Sequence, residues 1–354
     1  MLWAVWSESM ELWMSAILIV IVSLLIDRFI GELPNRYHLL RWIGNLVGFL
    51  DGKVKNRSSK WTKVKGFLSY LFVFFIFWFI MMLICSLIRN CLDGYSWEVA
   101  GMTVTLGEVI WILAIAFMFK ITYAIFSFRH HCIPIQNDLK NSDVQSARKK
   151  VQMIVSRNTS TLDEEHITSA CCETISENLV DSIVSPTFYF GLFGVTGAVM
   201  FRCANLMDAM WGYLNEKYGN LGFFPAKFDD VLGYITSRIS PAFVTLAAWV
   251  FGYEYRGVYK AALEEHTKTP SPNSGWPMTA VARAMRISME KIGVYVMGNG
   301  DMPSIDDVTR CYKLVERTSL LFILIITIPL FVFVGIHVQV FIEDKIFGLL
   351  EMIV

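Results

Sequence analysis

Between Gly66 and Ile88 the chain reads GFLSYLFVFFIFWFIMMLICSLI without a charge, and between Thr318 and Ile342 only His337 can carry one. A helix needs roughly 20 such residues to cross the hydrocarbon of a bilayer, where every backbone N–H and C=O must be paired within the segment. Both runs are read as membrane helices. A third, from about Leu12 to Ile26, is short but extendable, and a fourth runs from Val109 to Phe128, where Lys120 must snorkel or face protein. The N-terminal run lacks a basic flank and a small-residue cleavage site, and is read as a retained anchor.

Arg28, Arg36, Arg41, Lys53, Lys55, Arg57, Lys60, Lys63 and Lys65 lie between the first two spans, whereas Asn90 to Glu108 holds no Lys or Arg. The excess of basic residues places the first loop in the cytoplasm. With four spans, both termini face outward. Residues 182–201, SIVSPTFYFGLFGVTGAVMF, and 239–253, ISPAFVTLAAWVFGY, are also apolar, each with a proline near its start. They fit a membrane hairpin, re-entrant segments or a buried core, so the expected number of membrane helices is four to six. Elsewhere the periodicity is helical, with no alternating strand pattern between hairpin turns. The expected fold is an all-α polytopic membrane protein forming a single integrated domain. It comprises three N-terminal membrane helices and a basic loop (1–128), a helical, cytoplasmic-facing catalytic body (129–317) and a C-terminal membrane helix (318–342).

Composition agrees: 55% of residues are hydrophobic and 18% charged, and the formal net charge is zero, so no global field favours nucleic acid. The seven cysteines form no Cys-x-x-Cys pair and read as reduced apolar residues. Phosphate-loop, dinucleotide-binding, zinc-protease and serine-hydrolase motifs are absent. His130 and His131 point to opposite sides of a helix, a poor metal pair.

What remains is a set of acids and amides. Glu173, Glu177 and Asp181 recur every four residues in CCETISENLVDSIVSP, which puts them on one helical face with Asn178 beside it. On a surface helix that stripe would be a solvated face. Here the helix runs straight into an apolar segment, and ionisable groups at a membrane boundary face a cavity or a bound ion. Upstream, NTSTLDEEH reads as a helix start, with Ser160 or Thr161 as cap and Asp163, Glu164 and Glu165 at the positive end of the dipole. FRCANLMDAMWGYLNEKYG carries Arg202, Asn205 and Asp208 on one helix, with Asn215 two turns on if the helix survives Gly212. Adjacent Asp229 and Asp230 either hold Mg²⁺ or cap the apolar helix that follows. SPNSGWP, with Asn273 and Trp276, reads as a rigid binding loop or an interhelix turn.

These blocks resemble, in order, the integral-membrane adenosylcobinamide-phosphate synthases of cobalamin biosynthesis. The resemblance runs over most of the chain, through DRFIGELP, HLLRWIG, VSRNTSTLDEEHI, ETISENLVDSIVSP, FRCANLMDAMWGYLNEKYGNLG, AKFDD and SPNSGWPMTAVARAM. Leu39 stands where that family usually has proline, and Asn158 where it usually has aspartate. The resemblance implies an ATP- and Mg²⁺-dependent ligation of the adenosylcobyric acid carboxylate to the amine of aminopropanol phosphate or a related amino-alcohol phosphate. Such a reaction must activate a poor electrophile, neutralise phosphate charge and deprotonate an ammonium. The expected roles follow. Glu173, Glu177, Asp181 and Asp208 ring the reaction centre, with Glu177 as base. Glu177, Asp208, Asp229 and Asp230 are the candidate Mg²⁺ ligands. Asn178, Asn205, Asn215, Asn273 and Trp276 meet the corrinoid, and Arg28, Arg157 and Arg202 the phosphates. The expected location is the cell membrane, in contact with lipid and without nucleic acid, and a homo-oligomer is left open. A transporter or corrinoid-binding membrane protein without ligase activity is the alternative.

Overall fold

The computed structural model describes residues 2–54, 59–92, 95–99 and 102–352; Lys55 and Arg57 of the basic loop lie outside the described residues. The chain begins with α1 (Leu2–Phe29), α2 (Leu39–Lys53), α3 (Trp61–Cys91), a hairpin of β1 (Ser96–Val99) and β2 (Met102–Thr105), and α4 (Leu106–Lys120). It continues through α5 (Phe128–Lys140), α6 (Val144–Gln152), α7 (Glu164–Leu179), α8 (Ser185–Phe193), α9 (Val195–Trp211) and α10 (Phe223–Phe251). It ends with α11 (Val258–Glu265), α12 (Gly275–Met285), a hairpin of β3 (Met289–Lys291) and β4 (Tyr295–Met297), α13 (Asp307–Phe322), α14 (Ile328–Leu330) and α15 (Ile336–Glu351). π-turns join α7 to α8 (Val180–Val184), α13 to α14 (Ile323–Thr327) and α14 to α15 (Phe331–Gly335).

Among the described residues, four helical stretches are long and apolar enough to cross a membrane: Leu12–Phe29, Trp61–Cys91, Phe223–Phe251 and Asp307–Glu351. The chain is an all-α polytopic membrane protein. Three of the four contain the expected spans; the fourth does not. The run read as 109–128 forms only α4, 15 residues, or about 22 Å at 1.5 Å per residue. Lys120 does not snorkel: it is buried and pairs with Asp27 at 2.9 Å. The stretch 239–253 instead completes α10, which has 29 residues and continues through Pro241. The stretch 182–201 is not one helix, because Gly194 takes φ 61° and ψ −147° between α8 and α9, a backbone conformation close to glycine-only territory.

Within the chain, residues cluster into two compact units. The first comprises 1–123, 186–229 and 324–354, the second 124–185 and 230–323. In the first, α4 packs on α1, and α3 lies against α9 and α15. Phe119 and Phe190 stack with ring centroids 3.6 Å apart. On α15, Glu343 is fully buried and accepts from Gln339 Nε2 at 2.7 Å and Trp111 Nε1 at 2.9 Å. Arg89 Nη1 lies 3.9 Å from that carboxylate and binds Asp344 at 2.7 Å.

In the second unit α7 is the centre, packed by α13, α12, α6 and β3. Ile167, Ala170, Cys171, Cys172, Ile175 and Leu179 are buried, which accounts for a helix of mixed composition lying inside rather than on the surface. Its cap is Asp163, which accepts from His166 N, not Ser160 or Thr161; Glu164 and Glu165 do occupy the first turn. The two hairpins are the strands that helical periodicity could not show, since three or four residues are too few to display alternation.

Candidate functional site

The site grows from the loop between α6 and α7. Gln152, the last residue of α6, donates to the carbonyls of Val155 (3.2 Å) and Arg157 (3.0 Å) and accepts from the backbone and hydroxyl of Thr159. The Thr159 hydroxyl also reaches Arg148 O at 2.9 Å. The loop is thereby fixed, and Arg157 is aimed at α7. Its Nη1 and Nη2 donate in parallel to Glu173 Oε2 and Oε1, each at 2.8 Å.

The remaining acceptor positions of Glu173 are also taken. Ser169, one turn earlier, donates to Oε1 at 2.9 Å, and the Tyr295 hydroxyl donates to Oε2 at 2.7 Å. A carboxylate has about four lone-pair sites, so Glu173 is saturated. Tyr295 reaches it because β3 and β4 pair Lys291 with Tyr295 across a turn in which Gly293 has φ 72°. The hairpin is pinned to α7 by Glu290 N donating to Ser169 Oγ at 2.8 Å.

Glu177 differs. It lines a cavity of about 190 Å³ with Arg157, Glu173, Asn178, Lys291 and Tyr295. Burial pushes its carboxyl above the ordinary 4.5, with Lys291 opposing the rise and Glu173 adding to it. Lys291 makes no ion pair among the described residues. Burial also raises the Tyr295 phenol, and the Glu173 charge reinforces that rise. For Arg157, burial pulls the guanidinium down, and the bond and charge of Glu173 outweigh it. The pocket therefore contains one carboxylate held by four donors and a second, raised above the ordinary carboxylate range, that shares the cavity with an ammonium.

Of the other expected site residues, Asn178 is the one that lines this cavity. Asp181 falls in the π-turn Val180–Val184 and is not among the residues lining the cavity: the wider turn breaks the spacing-of-four rule. Asn178 lines the cavity, but its side chain is bound to Thr174 O (2.9 Å) and Ser182 Oγ (2.7 Å). Asn273 is buried and ties its loop to α10, donating to Asp230 O at 2.9 Å and accepting from Ser237 and Arg238 at 3.2 Å. Trp276 is buried against His266, centroids 4.1 Å apart, a packed ring rather than an open face. Asp229 and Asp230 lie inside α10, which starts at Phe223, so neither caps it.

In the first unit, Arg202 donates to Asn205 Oδ1 at 3.2 Å on α9, and Asp208 stands in the last turn of that helix. The helix stops at Trp211, so Asn215 is not on it; Asn215 caps a turn by accepting from Tyr218 N at 2.9 Å. Arg28 is exposed near the end of α1. A second polar group is present here too. Lys120, paired with Asp27, lies 3.5 Å from Glu32, which meets His38 Nε2 at 2.6 Å. His38 Nδ1 accepts from Leu40 N and caps α2, with Leu39 at the first helical position, where proline is equally at home. Asn158 Oδ1 accepts from Ser160 N at 3.0 Å, a bond aspartate would also make.

Lys291, Tyr295 and Gln152 were missed by sequence reasoning. The signal that could have found the first two is KIGVY, a glycine turn between short apolar-polar repeats. No group of three or more His, Cys, Asp or Glu is placed to hold a metal among the described residues. Mg²⁺ carried by a nucleotide needs only one or two protein carboxylates beside the phosphates.

The family model described as CobD/Cbib protein matches residues 20–321. A probable cobalamin biosynthesis protein CobD of Methanococcus aeolicus is 37% identical over 292 residues, 80% of this chain and 88% of its own length. One of Methanocaldococcus jannaschii is 35% identical over 311 residues, 88% of this chain and 97% of its own. The cobalamin biosynthesis protein CobD of Dehalococcoides mccartyi is 28% identical over 313 residues, 88% of this chain and 96% of its own. No solved structure matches. With a family match across most of its length and relatives above 30% identity, the chain belongs to the CobD/Cbib family of cobalamin biosynthesis proteins.

Proposed function

We propose that the chain is the ATP- and Mg²⁺-dependent ligase that joins the carboxylate of adenosylcobyric acid to the amine of aminopropanol phosphate or a related amino-alcohol phosphate. The observation that carries this reading is the pairing of a saturated Glu173 with a cavity-lining Glu177, raised above the ordinary carboxylate range, that shares the cavity with Lys291. The balanced reaction converts carboxylate, ammonium and ATP to amide, ADP, phosphate and one proton. That proton leaves the incoming ammonium, and Glu177 is the group that takes it; an elevated pKa brings a carboxylate nearer the operating pH and improves it as a base. Glu173 does not react: it holds Arg157 and Tyr295 in place. Lys291 offers its ammonium to phosphate oxygens.

At about 190 Å³ the cavity suits the amino-alcohol phosphate and is too small for a corrin macrocycle. Asp208, Arg202 and Asn205 on α9 are assigned to the corrinoid and the nucleotide. When bound, Mg²⁺ would neutralise phosphate charge, and Asp208 is its candidate protein ligand. The reaction is assigned to the cell membrane, a reading supported by the four membrane-competent stretches among the described residues.

Purified protein in detergent, supplied with adenosylcobyric acid, aminopropanol phosphate and ATP-Mg²⁺, is expected to yield the amide by mass spectrometry. Glu177→Gln and Asp208→Asn are each expected to abolish it while the protein still accumulates. Turnover retained in both variants would overturn the residue assignment, and corrinoid binding without product would support a carrier instead.

A further inference from the structure

A larger cavity, of about 480 Å³, opens in the second unit between the turn after α10 and the end of α12. Arg256, Arg286 and Arg310 line it together with Tyr253, Tyr255 and Glu254. The proposed ligation uses none of them.

Local structure explains how the arginines converge. α12 ends on Arg286 with φ 58° and ψ 42°, a left-handed conformation that helices ordinarily give to glycine and that strains a residue with a side chain. Glu254 N donates to Ala284 O at 3.0 Å, and the Tyr253 hydroxyl to Arg310 O at 3.2 Å, so the turn is tied to both α12 and α13. Arg286 pairs with Glu254 and Arg310 with Asp307, yet these side chains stay 71% and 53% exposed. Arg256 lies over the Tyr255 ring and makes no ion pair among the described residues.

The cavity's residues follow the end of one membrane-competent stretch, Phe223–Phe251, and include Arg310 near the start of another, Asp307–Glu351. The Arg317 guanidinium lies 4.5 Å from the Phe251 ring, and Phe243 meets Phe322 at 5.0 Å, so the end of α10 and the start of the C-terminal apolar run pack side by side and antiparallel. Trp249 and Val250, in the last turn of α10, are exposed, as residues facing lipid are. Arg310 stands seven residues before Arg317, about 10 Å further along the helix, in the headgroup layer if Phe251 marks the hydrocarbon edge.

We infer that this cavity holds a phosphate group at the membrane boundary, supplied by an anionic lipid headgroup or by a soluble phosphate ester. Guanidinium forks match phosphate oxygens, and Tyr253 and Tyr255 suit the interfacial layer. Glu254 and Asp307 keep Arg286 and Arg310 placed, and Arg256 brings a third guanidinium against these two carboxylates.

The test uses the full chain in nanodiscs of phosphatidylcholine alone or with phosphatidylglycerol, followed by native mass spectrometry of the lipid retained. Wild type is expected to retain phosphatidylglycerol preferentially, and Arg256→Gln with Arg286→Gly to reduce that preference about tenfold or more. Glycine keeps the left-handed backbone, and Arg256→Gln alone, on an exposed turn, carries the test if the pair fails to fold. In the second arm, glycerol 3-phosphate and inorganic triphosphate are added to the phosphatidylcholine discs. A rise in melting temperature in wild type that the variant lacks assigns the soluble source, and preference in the first arm alone assigns the lipid. Equal retention of both lipids with no shift from either phosphate, or a preference unchanged in the variants, overturns the inference.

Discussion

Glu177 and Glu343 are both carboxylates of helices in an apolar chain, and their surroundings differ in kind. Glu343, within a membrane-competent helix, is closed off by Gln339 and Trp111, two neutral donors that cannot leave without being orphaned in an apolar medium, with the Arg89 guanidinium 3.9 Å away and held by Asp344. Glu177 faces a cavity with an ammonium across it. The first environment fixes one arrangement; the second leaves room for a ligand and a proton. A buried acid is thus evidence of chemistry only when its surroundings can change partners.

The largest expected effect tests the open member. Glu177→Gln should lower turnover about 10²- to 10⁴-fold, the usual worth of a general base, without loss of melting temperature. The native carboxyl takes up a proton more readily than the unfolded one, because its pKa lies above 4.5. Its contribution to stability is therefore present below pH 4.5 and lost as pH rises through the raised native value. The glutamine variant lacks that loss, so thermal unfolding scans should show it matching or exceeding wild type at neutral pH. Wild-type turnover should rise with pH along a limb displaced upward from the ordinary carboxylate range, and the variant should lack that limb.

Arg157→Ala comes next. It strands the enclosed Glu173 and should cost about 3–5 kcal/mol, read as an earlier unfolding transition. Arg157→Lys should recover little of this, because an ammonium cannot supply two parallel bonds. Glu343→Gln should reverse the pattern of Glu177→Gln: an amide nitrogen set against the Trp111 and Gln339 donors costs about 2 kcal/mol, with the turnover of folded protein unchanged. A loss of turnover there would dissolve the distinction between the two acids. The smallest effect is Tyr295→Phe, which removes one of four bonds to Glu173 at about 1.5 kcal/mol; titration of turnover would show whether Glu177 is disturbed through its neighbour.

The sequence made the two long apolar runs legible because hydrocarbon demands them, and it placed Glu173 and Glu177 on one face because spacing along an α-helix is local. The π-turn hid the fate of Asp181, since it alters spacing without a residue type that announces it. The length of α4 was misread because Lys120 finds a buried partner in Asp27, a contact remote in sequence. The bond of Arg157 to Glu173 and the arrival of Tyr295 were illegible for the same reason: each depends on a loop returning to α7. The family blocks marked which segments matter without saying which side chains meet.

The two partners of Glu173 arrive across very different lengths of chain: Arg157 is 16 residues away and Tyr295 is 122. By the logarithmic cost of closing a loop, the second contact is entropically dearer by about 2 kcal/mol. During synthesis, Arg157 is already made when Glu173 emerges, and Tyr295 comes a hundred or so residues later. The nascent chain thus never has to carry Glu173 inward as a bare anion. Its charge is matched early by the nearby guanidinium, and the phenol of the hairpin sets last, closing the pocket only once most of the second unit exists.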